Sequence, residues 1–183
     1  MDEPFEWITK HTELVHENPW FSVRKDSVVR PDGKPGDYFV VSLPTPAVVI
    51  IPVDLEGNIV LVGQSRYPVG KYLYEFPAGA ADVGEEVLEA AKRELREETG
   101  YDAEKWELLG AYFMQAGIMG QEAFVFLAQG LREGVASPDG SEDIRLKSVS
   151  LDEVRNLSFG SELTNFSLSP LAFYERWLRA NEH

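Results

Sequence analysis

Not one cysteine occurs in the 183 residues, and that single absence removes disulfides, thiolate zinc sites, CxxC redox chemistry and a thiol nucleophile. Histidine is almost as scarce. The three present, His11, His16 and His183, lie near the chain ends without ligand-like neighbours and read as surface residues. A metal would therefore bind through oxygen, which suits magnesium, manganese or calcium. Positive charge is also short: 17 basic residues face 31 acidic ones, a net charge of -14, with no basic patch. Such a chain repels nucleic acid and anionic membranes, so neither is an expected partner. The longest apolar run, Pro46 to Val53, is far too short to span a bilayer, and the acidic start Met1-Asp2-Glu3-Pro4 lacks the order of a signal peptide. A cytoplasmic location is expected.

What is present describes a folded chain. Apolar residues make up 44% and aromatic ones 11%, spread along a length that suits one compact domain with a short appended segment. Alternating apolar residues from Trp20 to Leu43 flank the turn formers Pro31 to Gly36 and predict a hairpin; residues 46–53 and 58–65 predict a second around Asp54 to Asn58. A short strand is expected over Tyr72 to Phe76, then a helix from about Glu85 to Thr99 stopped by Gly100. Further strands are expected near Trp106 to Tyr112, Glu122 to Ala128 and Ile144 to Val149. Ser150-Leu151-Asp152-Glu153 has capping-box spacing for a short helix, and the tail from about Ser169 to Ala180 predicts an amphipathic helix with Pro170 in its first turn. The whole reads as a mixed α/β sandwich.

The first helix carries charge where charge is costly. At 100° per residue from Glu94, Val87, Ala91, Leu95 and Leu88 fall at roughly 20°, 60°, 100° and 120° and form the core arc. Glu98 lies inside that arc at about 40°, Glu94 lies just beyond its edge, and Glu97 flanks them from the solvent side at about 300°. Glu94 and Glu98 are four apart, where like charges repel, and turning both toward packed surface adds desolvation. A divalent cation accepting oxygens from both would remove the conflict.

The run Gly79, five residues, Glu85, seven residues, Arg93-Glu94-Leu95, one residue, Glu97-Glu98, one residue, Gly100-Tyr101 has the spacing of the Nudix box, with only the usually aliphatic last position changed. The chain thus resembles the Nudix hydrolases. Gln64-Ser65-Arg66-Tyr67-Pro68 and Tyr74-Glu75-Phe76-Pro77-Ala78-Gly79 resemble the branch that splits ADP-ribose and other nucleoside diphosphate sugars. The resemblance covers roughly residues 18 to 180. It implies a Nudix-type α/β/α sandwich with a mixed sheet and an N-terminal antiparallel hairpin, organised as residues 1–44, a segment that exchanges between subunits, and 45–183, the hydrolase domain.

It also implies a set of roles. Glu94, Glu97, Glu98 and the carbonyl of Ala78 would coordinate magnesium, with manganese as the alternative. Arg93, counted with the catalytic set, and Glu85 would hold the loop and helix together by a salt bridge, or form an ordinary surface pair. Glu142 is the expected general base, with Glu98, Glu133, Asp139 and Asp143 as rivals. Arg66 would grip phosphate or sugar through its planar fork, or make a structural salt bridge, with Glu75 and, more weakly, Arg30 as further substrate contacts. Phe21 and Tyr38 offer flat surfaces for the base, and a homodimer is the expected unit. The substrate expected first is ADP-ribose, cleaved to nucleoside monophosphate and sugar phosphate. Ala116, where many ADP-ribose hydrolases carry proline, keeps a GDP-mannose-type or broad nucleotide-sugar hydrolase open. A binding module that senses a nucleotide sugar without cleaving it is the remaining alternative, opposed by the complete box.

Overall fold

A computed structural model describes residues 6–134, 144–160 and 162–181. They divide into two compact units: the described residues up to Thr45 with Phe113–Gln121, and those of Pro46–Tyr112 with Glu122 onward.

The first unit is a three-stranded antiparallel sheet of β1 (Ile8–Glu17), β2 (Ser22–Val29) and β3 (Pro35–Ser42). The hairpin expected from Trp20 to Leu43 is β2 and β3, with Val29 opposite Pro35. Strand β1 is an addition. All ten of its residues are exposed, so no burial alternation marked it, and it holds to β2 through its backbone and a bond from Thr12 Oγ1 to Asp26. The segment 113–121 joins this unit through Val41 N–H, which donates to the Ile118 carbonyl, and Tyr38 Oη, which donates to the Gly117 carbonyl.

The second unit is a seven-stranded mixed sheet. Its order is β10 (Arg145–Val149), β5 (Ile59–Arg66), β4 (Ala47–Val53), β9 (Glu122–Glu133) and β8 (Tyr101–Phe113), with β6 (Lys71–Glu75) paired to β5 and β7 (Ala78–Ala80) paired to β4. The expected hairpin of β4 and β5 is paired only at its base, Val53 opposite Ile59. There Asp54 accepts from the N–H groups of Glu56 and Asn58, and Gly57 takes φ 84°. Beyond that point β5 turns to β6 and β10, whereas β4 runs parallel to β9, Ala47 opposite Ala123. A strand between two neighbours with helices over both faces must be apolar on both sides, and every residue of β4 is buried.

Alternation along β4 sorts the core into two layers. Val49, Ile51 and Val53 face α2 (Leu151–Phe159) and α3 (Asn165–Asn181), whereas Val48 and Ile50 face Ala90, Ala91 and Leu95 of α1 (Val87–Thr99). This is the expected α/β/α sandwich. Helix α2 starts where its capping box predicted, Ser150 Oγ accepting from Glu153 N–H at 3.2 Å. Helix α3 begins at Asn165, earlier than predicted, so Pro170 lies inside it and not in its first turn. Packing of Leu171 and Tyr174 into the core outweighs the one backbone bond that Pro170 forfeits. No helix among the described residues is long and apolar enough to cross a membrane.

The side of β4 that faces α2 and α3 leaves no room to relax. Ile51→Ala is expected to lower stability by about 2–5 kcal/mol, whereas Leu55→Ala at the exposed turn is expected to change it by less than about 0.5 kcal/mol. Urea unfolding of both variants checks this.

Candidate active site

Helix α1 starts after Glu86 and ends at Gly100, whose φ of 73° suits a residue without a side chain and whose N–H returns to the Arg96 carbonyl at 2.9 Å. Glu85 therefore stands outside the helix. It closes the preceding loop by accepting from Asp82 N–H at 2.8 Å, and it meets Arg93 from there.

Arg93 is the hub of the site. Its Nε and Nη2 donate to the two Glu85 oxygens at 3.1 and 3.0 Å, and Nη2 also donates to the Ala80 carbonyl at 2.9 Å. Its Nη1 donates to Glu94 Oε1 at 2.7 Å and to Glu97 Oε2 at 3.0 Å. All five N–H groups of one guanidinium are thereby spent. These bonds hold the Arg93 proton more firmly than usual and depress the Glu85 carboxyl, the Arg93 bond being the larger cause for Glu85.

Glu94 shifts the other way. Its burial, 13% side-chain exposure against 43% for Glu97, raises its pKa despite the Arg93 bond. The burial has a local cause, because a side-chain carbon built on Gly79 would land on the Glu94 carboxylate. Gly79 thus leaves open the space that the Glu94 carboxylate occupies. One turn on, Glu98 Oε2 accepts from Ala78 N–H at 3.0 Å, so β7 meets α1 at both of its inward carboxylates. The azimuthal prediction had Glu94 and Glu98 toward packed surface with Glu97 outside them, and this is their arrangement.

Among the described residues, no three acidic or histidine side chains gather closely enough to hold a cation alone. The donors nevertheless fit a hard divalent ion. Magnesium keeps several waters and takes one or two carboxylates with the rest from a substrate's phosphates, and Glu94 is a desolvated carboxylate whose charge a single Arg93 N–H does not fully offset. Glu94 and Glu98 would hold it, with Glu97 at its solvent side.

The other predicted residues fall in several places. Arg66 and Glu75 are brought together: Nε and Nη2 donate to the two Glu75 oxygens at 2.7 and 2.6 Å, and Glu75 is only 2% exposed. A bidentate pair with one partner buried is well held, and it fixes the plane of the Arg66 fork. Arg30 is in the first unit, at the β2–β3 turn, where its Nε lies 3.6 Å from Asp32. Phe21 and Tyr38 are also there. The Tyr38 ring meets Trp7 edge-on, and Phe21 lines a cavity of about 290 Å³ with Trp20, Pro19 and Pro44. Trp20, 74% exposed, was missed by the sequence reading, although two adjacent aromatics after Asn18-Pro19 were its signal. Glu142 lies outside the described residues, as do its rivals Asp139 and Asp143, while Glu133 ends β9.

An acidic helix with a glycine of the preceding strand against one of its carboxylates and a partnered arginine at its centre is the geometry of the box found in the sequence. Residues 43–168 match the NUDIX domain model, and residues 7–41 match that of the nucleoside diphosphate sugar hydrolase N-terminal domain. The chain belongs to the Nudix hydrolases. It is 34% identical over 84% of its length to a methanol dehydrogenase activator of Bacillus methanolicus, covering 83% of that protein. It is 38% identical over 78% of its length to an ADP-ribose pyrophosphatase of Mycobacterium tuberculosis, covering 67% of it, and 35% identical over 72% to one of Bacillus subtilis, covering 72%. A crystal structure of an ADP compounds hydrolase superposes with a TM-score of 0.88 at 23% identity, covering 97% of this chain and 96% of that one, and shares this fold.

The opposite shifts at Glu85 and Glu94 give a signed pH prediction. Glu85, depressed when folded, contributes stability above its unfolded pKa that is lost as the pH falls through its folded value. Glu94, raised when folded, instead lowers stability above its folded pKa. In metal-free buffer at neutral pH, Glu94→Gln is therefore expected to melt no lower than the wild type while losing activity, and Glu85→Gln to melt lower. Calorimetric melts with a chelator, paired with turnover assays, check both.

Proposed function

We propose that this Nudix hydrolase cleaves the diphosphate bond of a nucleoside diphosphate sugar, ADP-ribose first, into nucleoside monophosphate and sugar phosphate. The observation that carries the reading is the placement of Glu94 and Glu98, both half-buried and both meeting β7, Glu94 at Gly79 and Glu98 at the Ala78 N–H, a carboxylate chemistry suited to a divalent cation and a polyphosphate. The ADP-ribose pyrophosphatases among its relatives and the N-terminal match to nucleoside diphosphate sugar hydrolases support the substrate class. Magnesium is the proposed ion, with manganese as a substitute. When bound, such an ion neutralises the diphosphate and acidifies a bound water.

The chain's own groups supply placement. Arg93 keeps Glu94 and Glu97 from swinging apart and fastens the helix to the loop through Glu85 and Ala80. Arg66, held in plane by Glu75, is proposed to grip a phosphoryl or sugar oxygen. Glu142 is proposed as the group that takes the proton of the attacking water, with Glu98 as the alternative. Phe21 with Trp20 offers a flat apolar surface of the kind a nucleobase stacks on. Arg30 and Tyr38 are proposed as lesser contacts. The exposed Trp7, Ile8, Leu14 and Val15 on or beside β1 support a homodimer formed through the first unit.

A second reading, a GDP-mannose-type or broad nucleotide-sugar hydrolase, is favoured by Ala116 in the 113–121 segment. A panel of ADP-ribose, GDP-mannose, UDP-glucose, dinucleoside polyphosphates and dNTPs, each with magnesium, separates the readings. Hydrolysis of ADP-ribose that ceases with chelator and falls at least about 100-fold in Glu98→Gln is the expected result. A wild type inactive on every diphosphate, or a fully active Glu98→Gln, would refute the proposal.

A further inference from the structure

Strand β5 is apolar from Ile59 to Val62 and then carries Gln64, a residue only 5% exposed. Ile59 and Leu61 pack toward α2 and α3, so alternation sets Val62, Gln64 and Arg66 on the other face of the sheet. Glu75 lies directly across from Val62 on β6 and shares that face. So does Gly79, because its cross-strand partner Val48 packs under α1 and Gly79 itself meets Glu94. Gln64, Arg66 and Glu75 thus line the sheet face on which the acidic helix lies.

The Gln64 side chain is buried there with its Nε2 lacking any hydrogen-bond partner among the described residues. A buried amide donor without an acceptor is a standing loss of stability, and folded proteins seldom retain one without a use. The adjacent Arg66–Glu75 pair does not relieve it: its two bonds run between those side chains, and Gln64 Nε2 reaches neither oxygen. Trp177 Nε1 is in the same condition, but it lies in the apolar layer of α3, on the opposite face.

We propose that Gln64 is a substrate-positioning residue whose Nε2 donates to an oxygen of the bound nucleotide sugar. The acceptor is a diphosphate oxygen or a hydroxyl of the terminal sugar, either of which an amide N–H can recognise. Folding leaves the donor unpaired and substrate completes it. A site built to hydrogen-bond its ligand discriminates sharply, because the wrong ligand leaves the buried group as it was.

The inference rests on the nucleotide-sugar reading, and its test separates the two. In Gln64→Met the length is kept and the donors are gone; in Gln64→Glu the shape is kept and the donor becomes an acceptor. For Gln64→Met the ligand-free melting temperature should stay or rise, KM for ADP-ribose should rise about tenfold, and kcat should hold within about twofold. Gln64→Glu should raise KM further, and it carries the test should Gln64→Met fail to fold. Inhibition by ADP distinguishes the acceptor: ADP weakens in parallel if the diphosphate is read, and is unaffected if the terminal sugar is. A KM within about twofold of wild type in both variants, or a lowered melting temperature with KM unchanged, overturns the role of Gln64. A wild type that cleaves no nucleoside diphosphate sugar overturns the reading beneath it, with both variants equally silent.

Discussion

One guanidinium restrains the charge on which the site depends. Three glutamates on or beside a single short helix would spread apart in water, and Arg93 joins all three and the Ala80 carbonyl with its five donors. A lysine could not reproduce this, since a point charge has neither the plane nor the fork. What Arg93 gathers it does not neutralise in full. Glu94, enclosed against Gly79 and the helix, keeps a raised affinity for protons because burial disfavours its charged form.

The second requirement is a rigid floor under that helix. Strand β4 meets it by being apolar toward both helical layers, so α1 is seated on Val48 and Ile50 while α2 and α3 clamp the opposite side. Strand β7 is short, yet it joins this floor to the chemistry, since Val48 pairs with Gly79 and Val49 with Ala78. The backbone that receives Glu94 and Glu98 is thereby part of the sheet, and sites on such elements hold their geometry better than sites on loops.

The legible parts of the molecule were those governed by period and by local bonds. Helical azimuth separated Glu94 and Glu98 from Glu97, and the capping box at Ser150 located α2, because each depends on residues a turn apart. Partnerships between distant segments were less legible. The β4 and β5 runs read as a plain hairpin, and nothing in either announced that β4 would spend its edges on β9 and β7. Strand β1 was passed over because an exposed strand has no apolar rhythm. Gln64 sat within a quoted motif without any role, since being unpartnered is a property of the surroundings and not of a residue type.

The parallel pairing of β4 and β9 also has a temporal side. Ala47 meets Ala123, so the strand that seats the helix acquires its long neighbour only after most of the polypeptide has been synthesised. The acidic helix leaves the ribosome well before that neighbour does. During the interval β4 and β7 are already made, but the sheet beneath the helix lacks its long parallel flank. A chain interrupted before β9 therefore holds the signature residues with only part of the sheet on which their helix is seated.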